Sequence, residues 1–434
     1  MAVESFREEL LSCFDDFQRT LSQIQATGQL AQQTSTQEEK QMSRGTVIIV
    51  GAGIFGVSAA MELRKRGHRV QLLDPGPLPH PLAESTDISK AVRMDYGADD
   101  DYTTMAEGSI KGWRQWNNEF GETLYHEPGV IFLLPRPMEP GGYEYESYRR
   151  ALEHGCNPVR LNADEIRRRF PAWNANHYID GYYNPVGGFV ESGKVVSRLI
   201  ARAKTLGVEL HEGQTFERFI EDGSRIGGVV TRDGSRCEAD TVVVAAGSWT
   251  PHVMPWMAHV FRSSGMPVFH LKPADPGLFE PPRFVGFGAD ITVTGYYGFP
   301  LHPESKVVKI ANHGVGRQMH PEAPERVVTA AETDQLRKFL GYTFPALVDA
   351  PIVYTRVCLY CDTWDGHFWI APDPNRDGLV VATGGSGHAL KFAPLLGGFI
   401  ADTVEGAPYP YAHKFRWRPE VQRVRNEEES RYKE

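Results

Sequence analysis

Apolar positions fall in three kinds of pattern along the chain. Phe6, Leu10, Phe14, Phe17, Leu21 and Ile24 recur at steps of three and four among Glu, Asp, Arg and Gln, which predicts an amphipathic helix within residues 1–25. A polar tether, "QATGQLAQQTSTQEEKQMSRG", follows it, so the helix needs a docking surface either on the chain itself or on a partner protein. In "TVIIVGAGIFGVSAAMELRKRGHRVQLLD" four apolar residues lead into Gly51, helical periodicity follows Gly56, and a second apolar run ends at Asp74. That order predicts strand, tight turn, helix and strand. "GVELHEGQTFERFIEDGSRIGGVVTRDGSRCEADTVVVAAGSWT" alternates short strand patterns with Asp222-Gly223 and Asp233-Gly234 turns, then runs apolar from Thr241 to Ala246 into Gly247. "ESGKVVSRLIARAKTLG" before it has a helical period. A third segment, "GLVVATGGSGHALKFAPLLGGFIADTV", puts a strand ahead of a glycine loop and predicts a helix opening near Gly387.

Length and charge narrow the class. A chain of 434 residues exceeds one ordinary core and predicts an α/β fold of at least two intertwined domains. No apolar run reaches the roughly 20 residues that cross a bilayer, so no membrane association is expected. The formal charge of -9 argues against nucleic acid as a partner. Five scattered cysteines, Cys13, Cys156, Cys237, Cys358 and Cys361, are expected to be free thiols in a reducing compartment. The terminal "RYKE" is not a peroxisomal Ser-Lys-Leu type signal, which makes the cytoplasm the expected location, with a peroxisome left open.

The spacing Gly51-x-Gly53-x-x-Gly56 between a strand and a helix suits a dinucleotide. Gly51 permits the turn, Gly53 lets the backbone approach a pyrophosphate, and Gly56 lets helix and strand pack closely. Asp74, 23 residues after Gly51, can accept from both ribose hydroxyls and would repel a 2′-phosphate. FAD and NAD both meet these conditions. Three separated glycine-rich segments touching one cofactor favour FAD.

"CLYC" leaves three readings open for Cys358 and Cys361: a covalent cofactor link, a redox pair, or inert buried thiols. A zinc site would need a second CxxC or a paired His motif, and neither is present, so no metal is expected.

Taken in order, the GAGIFG turn with Asp74, "STDISKAVRMDYG", "VVVAAGSW", "YYGFP" followed by "KIANHG", "CLYCDTWDGHFWI" and "GGSGHALKF" resemble the D-amino-acid-oxidase-type FAD oxidoreductases over residues 46 to 405. The nearest branch holds monomeric sarcosine oxidase, N-methyltryptophan oxidase, pipecolate and saccharopine oxidases and fructosyl amino acid oxidases. The resemblance implies a Rossmann-type FAD-binding domain (45–105, 163–250 and 355–434) and a discontinuous substrate domain on a mostly antiparallel sheet (106–162 and 251–354), with residues 1–44 as helix and linker.

It also implies residue roles. Cys358 matches the position of covalent FAD attachment, where a thiolate attacks the flavin 8-alpha carbon. Arg93 and Lys391 match the arginine and lysine that hold a substrate carboxylate, for which a planar guanidinium is well shaped. Tyr297 and Tyr360 match pocket-lining residues, and Lys309 and His313 match a lysine beside the flavin and a nearby histidine, with Lys306 competing because the linker is one residue longer. Gly247, Ser89, Lys90, Gly385, Gly387 and His388 complete the expected cofactor contacts. Lys90 stands where sarcosine oxidases carry an arginine, and Ser85 and Thr86 stand near their histidine, in a loop one residue longer. The implied activity is oxidation of a secondary amine in an amino acid, with hydride passing to flavin N5, an imine product, and O2 reduced to H2O2 by a monomeric enzyme. Two other readings stay open: a dehydrogenase of the same fold serving a partner protein, and a non-catalytic flavin-binding subunit.

Overall fold

The structure, a computed structural model, describes residues 44–422; the expected amino-terminal helix, any contact it makes, and Cys13 lie outside them. The apolar run after Thr46 forms β1 (Thr46–Val50), flanked on both sides by parallel strands, β2 (Arg69–Asp74) and β7 (Thr241–Val244). Strands covered on both faces require nearly continuous apolar sequence, which these three supply. β6 (Glu209–Glu212) extends the sheet beyond β2; β15 (Leu379–Thr383) extends it beyond β7, with β14 (Trp369–Pro372) antiparallel at the edge. The order β14-β15-β7-β1-β2-β6 is that of a doubly wound dinucleotide-binding sheet. Helix α1 (Ile54–Lys65), α2 (Asp100–Phe120), α4 (Ser192–Thr205) and α6 (Ala393–Val404) share one core on this sheet through Val57, Leu63, Met105, Trp113, Leu199 and Ile400.

The second layer is a nine-stranded sheet. Its longest pairing joins β8 (Arg262–Leu271) to β13 (Ile352–Asp362), from Arg262 opposite Asp362 to Leu271 opposite Ile352. On the other side of β8 lie β11 (Val308–Asn312) and β12 (Arg317–Gln318), followed by β10 (Tyr296–Gly298), β9 (Gly286–Ala289), β3 (Val130–Leu134), β5 (Asp180–Asn184) and β4 (Val159–Asn162). Every pairing in it is antiparallel except that of β9 with β3. An aromatic core of Trp173, Tyr178, Phe269, Phe284, Phe287 and Phe344 fills the space under α5 (Ala330–Thr343), whose first turn is closed by a reciprocal Thr329–Glu332 capping box. The helix α3 (Tyr143–Glu153), from the segment between β3 and β4, lies against this layer.

Packing departs from the expected segment boundaries at three places. Residues 106–120 continue α2, which buries its apolar stripe in the first core. Strand β5, within 163–250, pairs with β3 and β4 in the second sheet. Most of β13, from residue 355, is laddered to β8. In each case a continuous element or a hydrogen-bonded partner crosses the expected boundary, and pairing across the sheet is invisible to local periodicity.

The helix expected near Gly387 starts later. Gly384, Ser386 and Gly387 have φ of 71°, 46° and 77°, which a right-handed helix cannot contain, so residues 384–389 form a loop and α6 begins at Ala393. Among the described residues no helix is long and apolar enough to cross a membrane, and no group of three or more His, Cys, Asp or Glu side chains could hold a metal ion.

Candidate active site

The three glycine-rich segments meet along one cleft. Gly51 and Gly53 from the end of β1, Gly247 after β7, and Gly385 and Gly387 after β15 all line it, with Asp74 at the end of β2. Gly51 has φ of 105° and a side chain there would strike the Ala245 carbonyl, while a Cβ on Gly56 would lie 1.8 Å from the Gly51 carbonyl oxygen. These two glycines are therefore demanded by the protein's own packing. Gly53 differs: a Cβ there would meet only Ser85 Oγ, at 3.6 Å, so the space above it is open toward the cleft. Asp74 accepts hydrogen bonds from the Ala52 and Gly76 amides, each at 2.9 Å, which hold the carboxylate beside the glycine turn. A backbone cradle with room at its second glycine, plus a fixed carboxylate 23 residues after the first, fits an adenine dinucleotide lacking a 2′-phosphate.

The far end of the cleft is cationic. Arg93, Lys90 and Lys391 all line it, together with Tyr297, Phe299, His313 and His388. Arg93 follows the short strand Lys90–Val92; its guanidinium lies 5.0 Å from the Tyr96 ring centre and 5.8 Å from that of Phe132. Lys391 donates to the Tyr96 hydroxyl at 2.8 Å and to the His388 carbonyl at 2.9 Å. Its own carbonyl accepts from Trp113 Nε1 of α2 at 2.7 Å and from Ser109 Oγ, so the first core fixes the segment that carries this lysine. Tyr96 and His388 Nδ1 are 3.0 Å apart, and His388 Nε2 lies 2.9 Å from the Gly366 carbonyl.

Lys309, Tyr360 and Cys358 stand just behind the wall, each 1% exposed. Lys309 points from β11 to Asp87, with Nζ to Oδ2 at 2.6 Å, and also donates to the Ser89 carbonyl. Burial pulls the Lys309 ammonium down to about 8, against the opposing attraction of Asp87. Burial by itself would raise Asp87, but Lys309, His270, Lys90 and Arg356 together hold its carboxyl well below the usual range. Lys306, the competing lysine, is exposed in the turn before β11. The Tyr360 hydroxyl lies 3.4 Å from both Tyr297 Oη and His313 Nδ1, and its ring presses on Gly387, where a Cβ would approach within 2.4 Å.

The two cysteines of "CLYC" part company on β13. Residues three apart on a strand point to opposite faces: Cys358 joins Met266, Val268 and Ala311 on the side of the cationic end, whereas Cys361 joins the core beneath the first sheet. They form no redox pair; both are free. Lys90 Nζ lies 3.4 Å from Cys358 Sγ; burial is the largest single influence on this ammonium and lowers it, but Cys358, Tyr297, Asp87 and Glu84 together hold it above its ordinary value. Cys361, although it borders the cleft, is pushed up to about 12 by burial and is held as a thiol beside Thr383.

Asp87, Tyr96 and Tyr143 were not singled out from the sequence. Asp87 and Tyr96 lie in the quoted "STDISKAVRMDYG", but only the pairing of β11 with β8 aims Lys309 at that loop.

The chain matches the family described as "FAD dependent oxidoreductase" over residues 46–403 and belongs to it. It is 28% identical over 422 residues to the L-saccharopine oxidase of Schizosaccharomyces pombe, covering 87% of this chain and 94% of that protein. To a monomeric sarcosine oxidase of a Bacillus species it is 26% identical over 361 residues, covering 81% and 90%. The solved structure of Amadoriase II, a fructosamine oxidase of Aspergillus fumigatus, shares the fold with a TM-score of 0.77 at 22% identity, over 89% of this chain and 93% of that one. The chain is thus an FAD-dependent oxidoreductase of the class its motifs resemble.

The Lys309–Asp87 pair generates a stability prediction. Asp87→Asn leaves a buried ammonium without its carboxylate and should cost about 3 to 5 kcal/mol in denaturant unfolding. Because the folded carboxyl lies below its unfolded value of about 3.9, its contribution is complete above that pH and is lost as pH falls through the folded value. The acid limb of the stability curve should accordingly be shallower in Asp87→Asn.

Proposed function

We propose that the chain oxidises the secondary amine of an amino acid, with O2 as electron acceptor and H2O2 as product. The observation that carries this reading is that the dinucleotide cradle and the Arg93–Lys391 cations line one continuous cleft. Bound FAD supplies the redox chemistry, taking a hydride from the carbon next to nitrogen to leave an imine that water hydrolyses, and passing two electrons to oxygen. The protein's part is binding, orientation and charge. Arg93 and Lys391 hold the substrate carboxylate, a contact available to any amino acid and absent for a simple amine. Tyr297 and His313 line the same cleft, backed by the buried Tyr360 hydroxyl that lies 3.4 Å from each. Gly385, Gly387 and His388 present the loop backbone to the cofactor, as do Ser89 and Gly247 from their own segments. Names of relatives that include saccharopine, sarcosine and fructosamine oxidases support the amine class without selecting one amine for this chain.

Cys358 is the residue we assign to covalent FAD attachment, through a thioether. The Lys90 ammonium lies 3.4 Å from its sulfur, the atom that would form the bond. Cys361, held protonated, is the poorer nucleophile despite its place on the cleft wall.

A dehydrogenase reading is favoured by one observation, the compensation of the Lys309 charge by Asp87. Oxygen accepting its first electron becomes an anion, which a nearby ammonium stabilises less when a carboxylate already faces it.

Three outcomes test these assignments. Anaerobic addition of N-substituted and cyclic amino acids should bleach the flavin for at least one of them, and admitting air should restore the colour with one H2O2 per turnover. Bleaching without prompt peroxide supports the dehydrogenase; no bleaching across the panel removes the catalytic reading. Acid precipitation should leave yellow colour in the pellet of the unaltered protein and of Cys361→Ala, and free it in Cys358→Ala. Lys309→Met should slow reoxidation of the reduced enzyme about ten- to a thousandfold, the upper figure being that for an unpaired charge about 4 Å away at an effective dielectric near 20. Its anaerobic reduction, followed by stopped flow, should change much less.

A further inference from the structure

We infer that Tyr143 and Asp95 are positioning residues that set the orientation of the Arg93 guanidinium, and through it the selection of substrates carrying a carboxylate. The inference rests on the assignment of Arg93 to the substrate carboxylate. It concerns how that arginine is aimed.

Arginine has four rotatable side-chain bonds, and a bidentate contact needs the plane of the guanidinium fixed. Here the plane is held from several sides. Tyr143, the first residue of α3 and 5% exposed, accepts from Arg93 Nη1 at 2.8 Å and donates to the Asp95 carbonyl at 2.7 Å. Its hydroxyl therefore both receives the guanidinium and is itself locked, so it cannot rotate away without breaking a second bond. Tyr96 and Phe132 face the guanidinium with their rings. Phe132 in turn stacks on Tyr182, with centroids 5.6 Å apart and planes 21° from parallel.

The Tyr182 hydroxyl, on β5, donates to Asp95 Oδ1 at 2.7 Å, and Asn184 lies 3.5 Å from the same oxygen. The chain of contacts therefore closes on the segment where it began. It draws on α3, β3, β5 and the residues after the Lys90–Val92 strand, so the guanidinium is clamped between parts of the chain that only the second layer brings together.

Asp95 is 1% exposed, and its second oxygen, Oδ2, has no hydrogen-bond partner among the described residues. Burial, which is costly to a carboxylate, raises the Asp95 carboxyl, and the largest favourable charge interaction opposing this is with Arg93, two residues away. Asp95 thus counterbalances Arg93 before a ligand arrives, while Tyr143 prevents the arginine from folding back onto it. Ligand carboxylates then meet a guanidinium whose ordering cost has already been met in the free protein.

The test uses the flavin-loaded full chain. Acetate is the carboxylate probe, titrated by its perturbation of the flavin absorbance; the amino acid that bleaches best in the panel is compared with its own decarboxylated amine. Tyr143→Phe keeps the ring and removes the hydroxyl. It should weaken acetate binding and raise the amino acid KM by about ten- to a hundredfold, the loss expected of one hydrogen bond to a charged group. Its kcat should move less than KM, and the KM for the amine should stay within about twofold. Asp95→Asn should lower the preference for amino acid over amine in the same direction, and if that variant does not fold, Tyr143→Phe alone decides. Arg93→Ala provides the reference. If Arg93→Ala abolishes the preference and Tyr143→Phe leaves acetate affinity and preference untouched, this inference is overturned and the role of Arg93 stands. If Tyr143→Phe weakens amino acid and amine equally, Tyr143 serves the fold only, and the inference is likewise overturned. If Arg93→Ala itself retains the preference, the carboxylate assignment fails and this inference fails with it.

Discussion

Everything at the cationic end of the cleft depends on how one loop, residues 82–89, is tied to the second sheet. Lys309 from β11 pairs with Asp87 and bonds the Ser89 carbonyl; Arg356 from β13 donates to the carbonyls of Thr86 and Ala83; Arg326 reaches the carbonyl of Leu82 at 2.7 Å. Three cations of the substrate layer thus hold a segment that leaves the dinucleotide sheet after β2. Only one carboxylate is spent on them, and the remaining contacts are backbone oxygens, which are less easily displaced than side chains. Lys90 and Arg93 follow directly along the chain, so the clamp also sets where the cleft's own cations stand.

A chain of net charge -9 therefore keeps a local excess of positive charge where an anionic substrate would bind. Lys90, Arg93 and Lys391 lie close together in surroundings that exclude water, an arrangement opposed by mutual repulsion and desolvation. The structure offsets this with aromatic rings and hydroxyls: Tyr96 serves both Arg93 and Lys391, and Tyr143 serves Arg93. The hydroxyls are neutral acceptors, and Asp95 adds a favourable charge interaction for Arg93. Lys309 is treated oppositely, with a carboxylate in contact, and this distinguishes a lysine set behind the wall from those that face the cleft.

The same contrast explains why the two cysteines have different chemistry. Local sequence presents them as equals in "CLYC". In β13 their side chains enter different cores, one beside an ammonium and one among apolar groups and a threonine hydroxyl. Burial among apolar groups raises the Cys361 thiol, while Cys358 has an ammonium within 3.4 Å of its sulfur.

By itself the amino-acid sequence determined the dinucleotide half of this protein: β1, the glycine turn, α1, β2 and Asp74 are local, continuous in the chain and bound to a fixed spacing by steric contacts such as Gly56 against Gly51. Local motifs also singled out Arg93, Lys309 and Lys391 as candidates, all within the residues that match the family. Tertiary structure alone decided the partners. Asp87 meets Lys309 across 222 residues and Tyr143 meets Arg93 across 50, separations at which no periodicity carries information. It also decided that α2 belongs with the first core, that β5 and β13 belong with the second sheet, and that the last glycine loop stays irregular through Ala389. Strand neighbours and buried ion pairs are chosen by which surfaces remain to be covered once the whole chain has collapsed, and that choice is not written in any single segment.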